Sequence, residues 1–113
     1  MSITEADLDR WFTYHPPTPE QRAIYDRITE ATRAAAEAIA NGGHGLGRAL
    51  LLVDTTIESE CPDGAEQKYA LEEVAWCWEV SWDDLPAALM HLRAARMWAN
   101  AAIACAPQGD EAA

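Results

Sequence analysis

The sequence predicts an all-α protein with a single domain, on three observations. Apolar residues recur at the 3.6-residue period of a helix, helix-start signals precede these runs, and Gly and Pro cluster at a few points between them. The 113 residues are enough for one modest hydrophobic core. We assign residues 1–106 to one helical-hairpin domain and residues 107–113, "PQGDEAA", to a flexible C-terminal tail.

The first predicted element is a short helix of about residues 4–12. Ser2, followed three residues later by Glu5, forms a capping-box pattern at its start. The elbow "TYHPP" ends this helix, because a residue that precedes proline is pushed out of the helical region.

A second, longer helix is predicted after Thr18. This residue is the expected N-cap, with Pro19 at the first helical position and Gln21 completing a capping box. The apolar stripe of the helix consists of Ile24, Ile28, Ala31, Ala35, Ala38 and Ile39. The stretch "NGGHGLG", residues 41–47, then interrupts the helix with four glycines.

The middle of the chain, residues 48–60, fits both a helix and a strand. Helical spacing is shown by Leu46, Leu50, Val53 and Ile57. The composition of "LLLVDTTI" would also suit a strand, and we favour the helix. "CPDGAE" makes the next turn, with Asp63 as the expected cap and Glu66 as its box partner.

One helical stripe continues from there almost to the end of the chain: Leu71, Val74, Trp78, Leu85, Leu89, Leu92, Ala99 and Ile103. Pro86 either kinks this helix or begins a new one capped by Asp83 or Asp84. A short strand is the alternative for the alternating residues Trp76, Trp78, Val80 and Trp82.

The predicted architecture is therefore two long antiparallel helical arms joined at "CPDG", with a short helix in front. Two packed arms bury side chains only along the line where they meet, so Trp and Leu side chains elsewhere stay exposed. The Ala-rich face "TRAAAEAIA" permits close approach of another helix. We expect a homo-oligomer, with a symmetric dimer as the default.

The formal net charge of −11 excludes binding to polymeric nucleic acid or to an anionic membrane through bulk electrostatics. A small anionic ligand stays possible, since seven of the eight Lys and Arg residues are Arg, which suits phosphate. The sequence contains neither an apolar run of about 18 residues nor a signal-peptide pattern, so we expect the protein to stay where it is made. Three scattered cysteines argue against a disulfide framework or a structural zinc site.

No catalytic constellation and no cofactor motif is recognisable, which favours function by binding. Arg93 and Arg96 are the most informative cations, because they share a helical face with His91 and have no acid at i±3 or i±4. Arginines in such a position need an anionic partner. That partner can be an acidic residue of another helix or a bound phosphate, and both interpretations stay open. His91 itself is interpreted as a core or interface residue.

The elbow before the second helix combines features that suit a nucleotide. Tyr14 and His15 offer rings for stacking, and the prolines hold the segment in place. The helix N-terminus behind them presents free N–H groups, with Arg22 one turn further along. Hydrophobic stapling of the short helix is the alternative interpretation.

Three stretches, "FTYHPPTPEQRAIYDRI", "CPDGAE" and "MWANAAIA", are together similar to the hairpin domain of the phage anti-CBASS and Thoeris anti-defence sponge family. The resemblance covers about half of the chain. It implies a small protein without catalytic residues, cofactor or metal that captures cyclic di- or trinucleotides or cyclic ADP-ribose isomers. The family binds these signals in pockets between subunits of dimers and hexamers, which implies action in the cytoplasm of the host bacterium.

The resemblance also implies a ligand site, with two departures. Thr29 and Cys105 stand where family members commonly carry Arg, which leaves two interpretations open: the phosphate contacts have moved to other arginines, or the preferred ligand differs. The expected ligand-binding residues are Phe12, Tyr14, His15, Pro16, Arg22, Arg27, Arg93, Arg96, Trp98 and Asn100. Relative to the family, residues 42–60 and 75–90 are additions of similar length on both arms, which predicts an extended tip of either helix or strand.

Two other functions stay open. The runner-up is an acidic helical protein that docks on a host defence protein and inhibits it directly, since an acidic, Trp-bearing surface would suit a basic partner. A hydrolase of the same signals is the third, although the sequence offers no metal-ligand or nucleophile set for it.

Overall fold

The computed structural model describes residues 4, 6, 7, 10 and 16–104. Four long helices are formed: α1 (Pro19–Ala40), α2 (Leu46–Glu60), α3 (Ala65–Val80) and α4 (Leu85–Ala104). The described part of the chain contains no strand, and the segments 42–60 and 75–90 are helical outside their turns. The preference for helix over strand is confirmed for these segments.

The four helices run alternately up and down in a closed ring, in which each packs on its chain neighbours and α4 packs on α1. Arg27, early in α1, bonds to Glu60 at the end of α2. Gln21, at the start of α1, donates through Nε2 to the carbonyl oxygen of Ile103 at the end of α4 (3.3 Å). Consecutive helices are thus antiparallel.

The expectation of two continuous arms with an extended tip is therefore corrected. Each arm folds back on itself, because the segment 41–45 reverses the chain within five residues. Gly42, Gly43 and Gly45 all have positive φ, a backbone conformation that side chains disfavour. Because the four helices cover one another's apolar stripes, the hairpin no longer needs a second copy of the chain to bury them. Homo-oligomerisation stays a prediction on other grounds.

Two of the predicted helix starts are confirmed in atomic detail. Thr18 Oγ1 accepts from the Gln21 N–H (3.1 Å), and Gln21 Oε1 accepts from the Thr18 N–H (2.9 Å). Asp84 Oδ1 accepts from the Ala87 N–H (3.0 Å), so Pro86 lies in the first turn of a new helix and does not kink an old one. Short-range hydrogen bonding decides both positions.

The predicted cap of α3 is wrong by one residue. Gly64, not Asp63, occupies the N-cap position, and no side chain caps this end. At the N-terminus of the chain, Ser2 and Glu5 lie outside the described residues.

A reciprocal pair is seen instead between Thr4 and Asp7, whose side-chain oxygens each accept from the other residue's N–H at 3.1 Å. The hydrogen bond from the Thr4 backbone, reinforced by the Thr4 hydroxyl, lowers the pKa of the Asp7 carboxyl. Local hydrogen bonding again fixes this short segment.

The core lies along the ring axis and follows most of the predicted stripe. Buried from that stripe are Ile28, Ala31, Ala35, Ala38, Ile39, Leu46, Leu50, Val53, Ile57, Val74, Leu92, Ala99 and Ile103. Trp78 departs from the prediction, because it lies outside the core against Gly47 of α2 and is 40% exposed. Ala70 and Cys77 fill the core positions of α3 alongside Val74.

Candidate ligand groove

A groove runs between α1 and α4 on the surface of the ring and encloses about 260 Å³. We call it the α1/α4 groove and define it by its lining residues: Thr29, Thr32, Arg33, Ala36, Leu89, Leu92, Arg93 and Arg96. Three of these eight residues are arginines and none is acidic, in a chain whose net charge is −11. The groove is thus a local concentration of positive charge.

Helical spacing explains why the arginines gather here. Arg93, Arg96 and Asn100 are separated by three and four residues, so they lie along one face of α4. Arg22 and Arg33 lie seven and four residues on either side of Thr29, along one face of α1. The two helices are antiparallel neighbours, which brings Arg22 to the same end of the groove as Asn100.

Acidic residues are unevenly distributed along the two helices that form the groove. No Asp or Glu lies within α4. Arg33 pairs with Glu30 on its own helix, while its side chain stays well exposed beside the groove. Arg93 is exposed and Arg96 is half-buried. An anionic ligand entering the groove would therefore meet guanidinium groups from both walls.

Asn100 continues the α4 wall one turn beyond Arg96. Its Oδ1 atom is buried and has no hydrogen-bond partner among the described residues. Because most buried polar atoms are paired, an unmatched amide oxygen beside a cationic groove is a position where a ligand donor would be satisfied. The amide can both donate and accept, which suits the edge of a nucleobase.

The floor of the groove belongs to the hydrophobic core. Leu92 is 2% exposed and packs within the core cluster. Thr32 is buried, and its hydroxyl donates to the carbonyl oxygens of Ile28 (2.9 Å) and Thr29 (3.1 Å). The Thr32 hydroxyl hydrogen is therefore satisfied inside its own helix.

Other expected site residues lie elsewhere. Arg27 faces α2 and forms a two-bond ion pair with Glu60 (2.8 and 2.9 Å), which raises the pKa of its guanidinium. Trp98 faces α3, where its ring packs against Tyr69 with centroids 4.9 Å apart. The structure thus separates Arg27 and Trp98 from the α1/α4 groove.

The elbow is described only in part. Pro16 is exposed and leads into the capped start of α1, whereas Phe12, Tyr14 and His15 lie outside the described residues. The end of α1 that follows the elbow is the end near Ile103 and Asn100.

His91 points away from the groove, towards α3. Its Nδ1 atom lies 2.6 Å from Glu73 Oε1, and the Trp76 ring contacts the imidazole edge-on. His91 thus lies partly buried at the contact between α3 and α4. Sequence reasoning missed Arg33; the signal was its position eleven residues after Arg22, three turns along the same helical face.

Neither a metal-binding cluster nor a membrane-spanning helix is found among the described residues. They contain no group of three or more His, Cys, Asp and Glu side chains arranged to hold a metal ion. Among the helices so described, none is both long and apolar enough to cross a lipid bilayer.

The fold and the groove define a small all-helical protein with an arginine-lined site suited to an anionic ligand. The chain belongs to the Acb2/Tad1 hairpin-domain family, whose model matches residues 4–104. This family consists of anti-defence proteins that sequester small cyclic nucleotide signals, and it is not a known enzyme family. The resemblance given by the three sequence stretches is thereby confirmed. No curated protein and no solved structure matches the chain.

Proposed function

We propose that this protein is a sponge that binds an immune signalling nucleotide and withholds it, intact, from its effector in the cytoplasm of the host bacterium. The signal is a cyclic di- or trinucleotide or a cyclic ADP-ribose isomer, and the α1/α4 groove supplies its phosphate contacts. Family membership supports the ligand class. The observation that carries the proposal is the gathering of Arg33, Arg93 and Arg96 in a groove without acids.

Local charge outweighs the negative charge of the whole chain in such a groove. A guanidinium about 4 Å from a phosphate interacts by about 4 kcal/mol at an effective dielectric constant of about 20. Charges further away than the Debye length of about 8 Å are largely screened by physiological salt. The exposed acids on other faces therefore oppose binding only weakly, provided that the phosphate lies between the arginines.

The groove of one protomer is smaller than a complete nucleotide site. Its volume of about 260 Å³ falls below the roughly 300–1,000 Å³ of ordinary ligand pockets. A second wall is therefore needed, and we assign it to another subunit of a homodimer or hexamer together with the elbow. In this arrangement Tyr14 and His15 stack on a base, Asn100 hydrogen-bonds its edge, and Arg22 adds charge at the same end.

Sequestration requires tight binding and no turnover. The occupied fraction follows mass action, so the dissociation constant must lie well below the signal concentration. A groove floor made of buried side chains supports tight binding, because such side chains lose little conformational entropy when the ligand enters.

The test is capture followed by release. The purified protein is incubated with a panel of cyclic di- and trinucleotides and cyclic ADP-ribose isomers, separated from free ligand, and heat-denatured, and the released molecules are identified by chromatography. We expect one class to be depleted and recovered unchanged. No depletion of any member would overturn the proposal, and a chemically altered product would indicate an enzyme.

Matched arginine variants then locate the site. Arg96→Ala should weaken binding of the captured ligand by about tenfold or more, the cost of a lost charged hydrogen bond. Arg27→Ala is the control, because Arg27 is an arginine of the same helical bundle that pairs with Glu60 outside the groove. Equal effects of the two variants would remove the α1/α4 groove from the proposal; circular dichroism verifies that both variants fold.

A further inference from the structure

Exposed tryptophans lie among acids at the end of α3 and in the turn that follows it. Trp82 is 72% exposed, and its ring meets that of Trp78 with centroids 5.0 Å apart in an edge-to-face arrangement. Two acids adjoin these rings in the chain, Glu79 beside Trp78 and Asp83 beside Trp82, and both are exposed. We call Trp78, Glu79, Trp82 and Asp83 the tryptophan edge.

The tryptophan edge is held in place by its backbone. Ser81 donates through its backbone N–H to Cys77 (3.1 Å) and through its hydroxyl to the carbonyl oxygen of Trp78 (2.6 Å). The N–H groups of Asp83 and Asp84 both donate to the Val80 carbonyl oxygen. A hydrogen-bonded turn therefore presents Trp82 to solvent, and binding there would order few additional groups.

Packing against α2 fixes the second ring. A Cβ atom placed on Gly47 would lie 3.2 Å from the Trp78 ring, so the glycine allows the indole to lie directly on the α2 backbone. Trp78 therefore lies outside the core, and the ring of Trp82 packs against it. Two exposed rings in contact form a candidate interaction surface.

The charge around the rings is predominantly negative. Residues 69–92 contain five acids and neither Lys nor Arg. On the facing helix, Arg48 follows Gly47 and supplies a single positive charge. Indole faces attract guanidinium groups, and adjacent carboxylates add charge complementarity.

We propose that the tryptophan edge is a docking site for an arginine-bearing peptide segment of a partner protein, separate from nucleotide capture. Arginine fits better than lysine, because its planar guanidinium stacks on Trp78 or Trp82 while donating to Glu79 or Asp83. Two rings and two acids form a small surface, which matches an extended segment and not a whole domain face. The proposal gives the acidic chain a second binding mode with the opposite charge preference to its groove.

The test uses the full chain and a short fluorescein-labelled arginine-rich peptide, with binding followed by fluorescence anisotropy at low and physiological salt. The matched probe is the same peptide with citrulline in place of arginine, which keeps the shape and removes the charge. We expect saturable binding of the arginine peptide that weakens with salt, and at least about fivefold weaker binding of the citrulline peptide. No binding of the arginine peptide, or equal binding of both, would overturn the proposal.

Matched variants assign the site within the protein. Trp82→Ala should weaken peptide binding by about fivefold or more, whereas Trp76→Ala should change it by less than about twofold, because Trp76 lies on the α4 side against His91. Asp83→Asn should reduce affinity and salt dependence, with Asp63→Asn at the other end of the ring as its control.

Asp84 is left unchanged because it caps α4. Sedimentation velocity distinguishes the competing occupant: a smaller oligomer for Trp82→Ala would mean that a second copy covers the tryptophan edge, and would overturn the proposal.

Discussion

On the α1/α4 side of the ring, arginines line a groove whose floor belongs to the core. On the α2/α3 side, tryptophan and leucine side chains are exposed to solvent. Leu92 at the groove is 2% exposed, whereas Leu51 on α2 is 65% exposed. The groove contains no acid, while residues 69–92 contain no Lys or Arg. A net charge of −11 therefore says little about any one surface, because three arginines gather in one groove while acids adjoin the exposed tryptophans.

The largest expected effect concerns the apolar residues of the two sides. Leu92→Ala should lower the free energy of unfolding by about 2–5 kcal/mol, since it leaves a cavity under the groove. Leu51→Ala, the same substitution on the α2/α3 side, should stay within about 0.5 kcal/mol of the unmodified protein. Urea denaturation of both variants measures the difference. Comparable losses of unfolding free energy in the two variants would mean that the Leu51 face of α2 is covered when the protein is in solution.

The next effect concerns charge. Arg96→Glu should weaken capture of the retained nucleotide by roughly a hundredfold, because it removes a charged hydrogen bond and introduces a carboxylate beside the phosphate. Glu79→Arg, the opposite reversal on the α2/α3 side, should change capture by less than about twofold, because the groove lies across the ring. Titration calorimetry of both variants gives the two constants. A large gain in nucleotide affinity for Glu79→Arg would show that the net charge of the whole protein governs binding.

The third effect concerns the cysteines beneath the exposed α2/α3 surface. Burial raises the thiol pKa of both Cys61 and Cys77 to about 11, with Glu60 adding to the rise at Cys61. At pH 8 the folded protein should therefore hold about a hundredfold less thiolate at each position than the unfolded chain, and it should react correspondingly slowly with a disulfide reagent. A Cys105→Ser background leaves only these two thiols to measure.

The sign of the accompanying pH dependence follows from the same shift. The folded pKa lies above the unfolded value, so the folded state holds more protons between pH 9 and 11. The stability contribution is complete below pH 9 and falls as pH rises towards 11. Rapid native labelling at pH 8 would contradict the burial of Cys61 and Cys77.

Features set by neighbouring residues were predictable from the sequence. The capping box of Thr18 and Gln21 and the cap at Asp84 depend on hydrogen bonds within three residues, and both are confirmed. The apolar stripes of α1 and α2 are likewise local patterns with a fixed period. Membership of the hairpin family was also predictable, because its motifs lie in three short stretches.

Features set by packing between distant segments were not predictable. The reversal at residues 41–45 depends on which helix α2 meets, and a glycine-rich stretch alone does not specify that. Trp78 keeps the period of the stripe yet lies outside the core, because Gly47 of another helix offers it a place.

Packing between distant segments also separates the expected site residues. Arg27 and Arg96 have the same chemistry, but Arg27 bonds to Glu60 of α2, whereas Arg96 lines the α1/α4 groove.

In the proposed function, the α1/α4 groove holds the phosphate of a captured signal. A crystal structure of the protein with the nucleotide that it retains tests this most directly. We expect a phosphate oxygen within about 2.7–2.9 Å of the guanidinium groups of Arg93 or Arg96, with the nucleotide otherwise unaltered. A nucleotide bound elsewhere on the ring, with both arginines facing solvent, would contradict it.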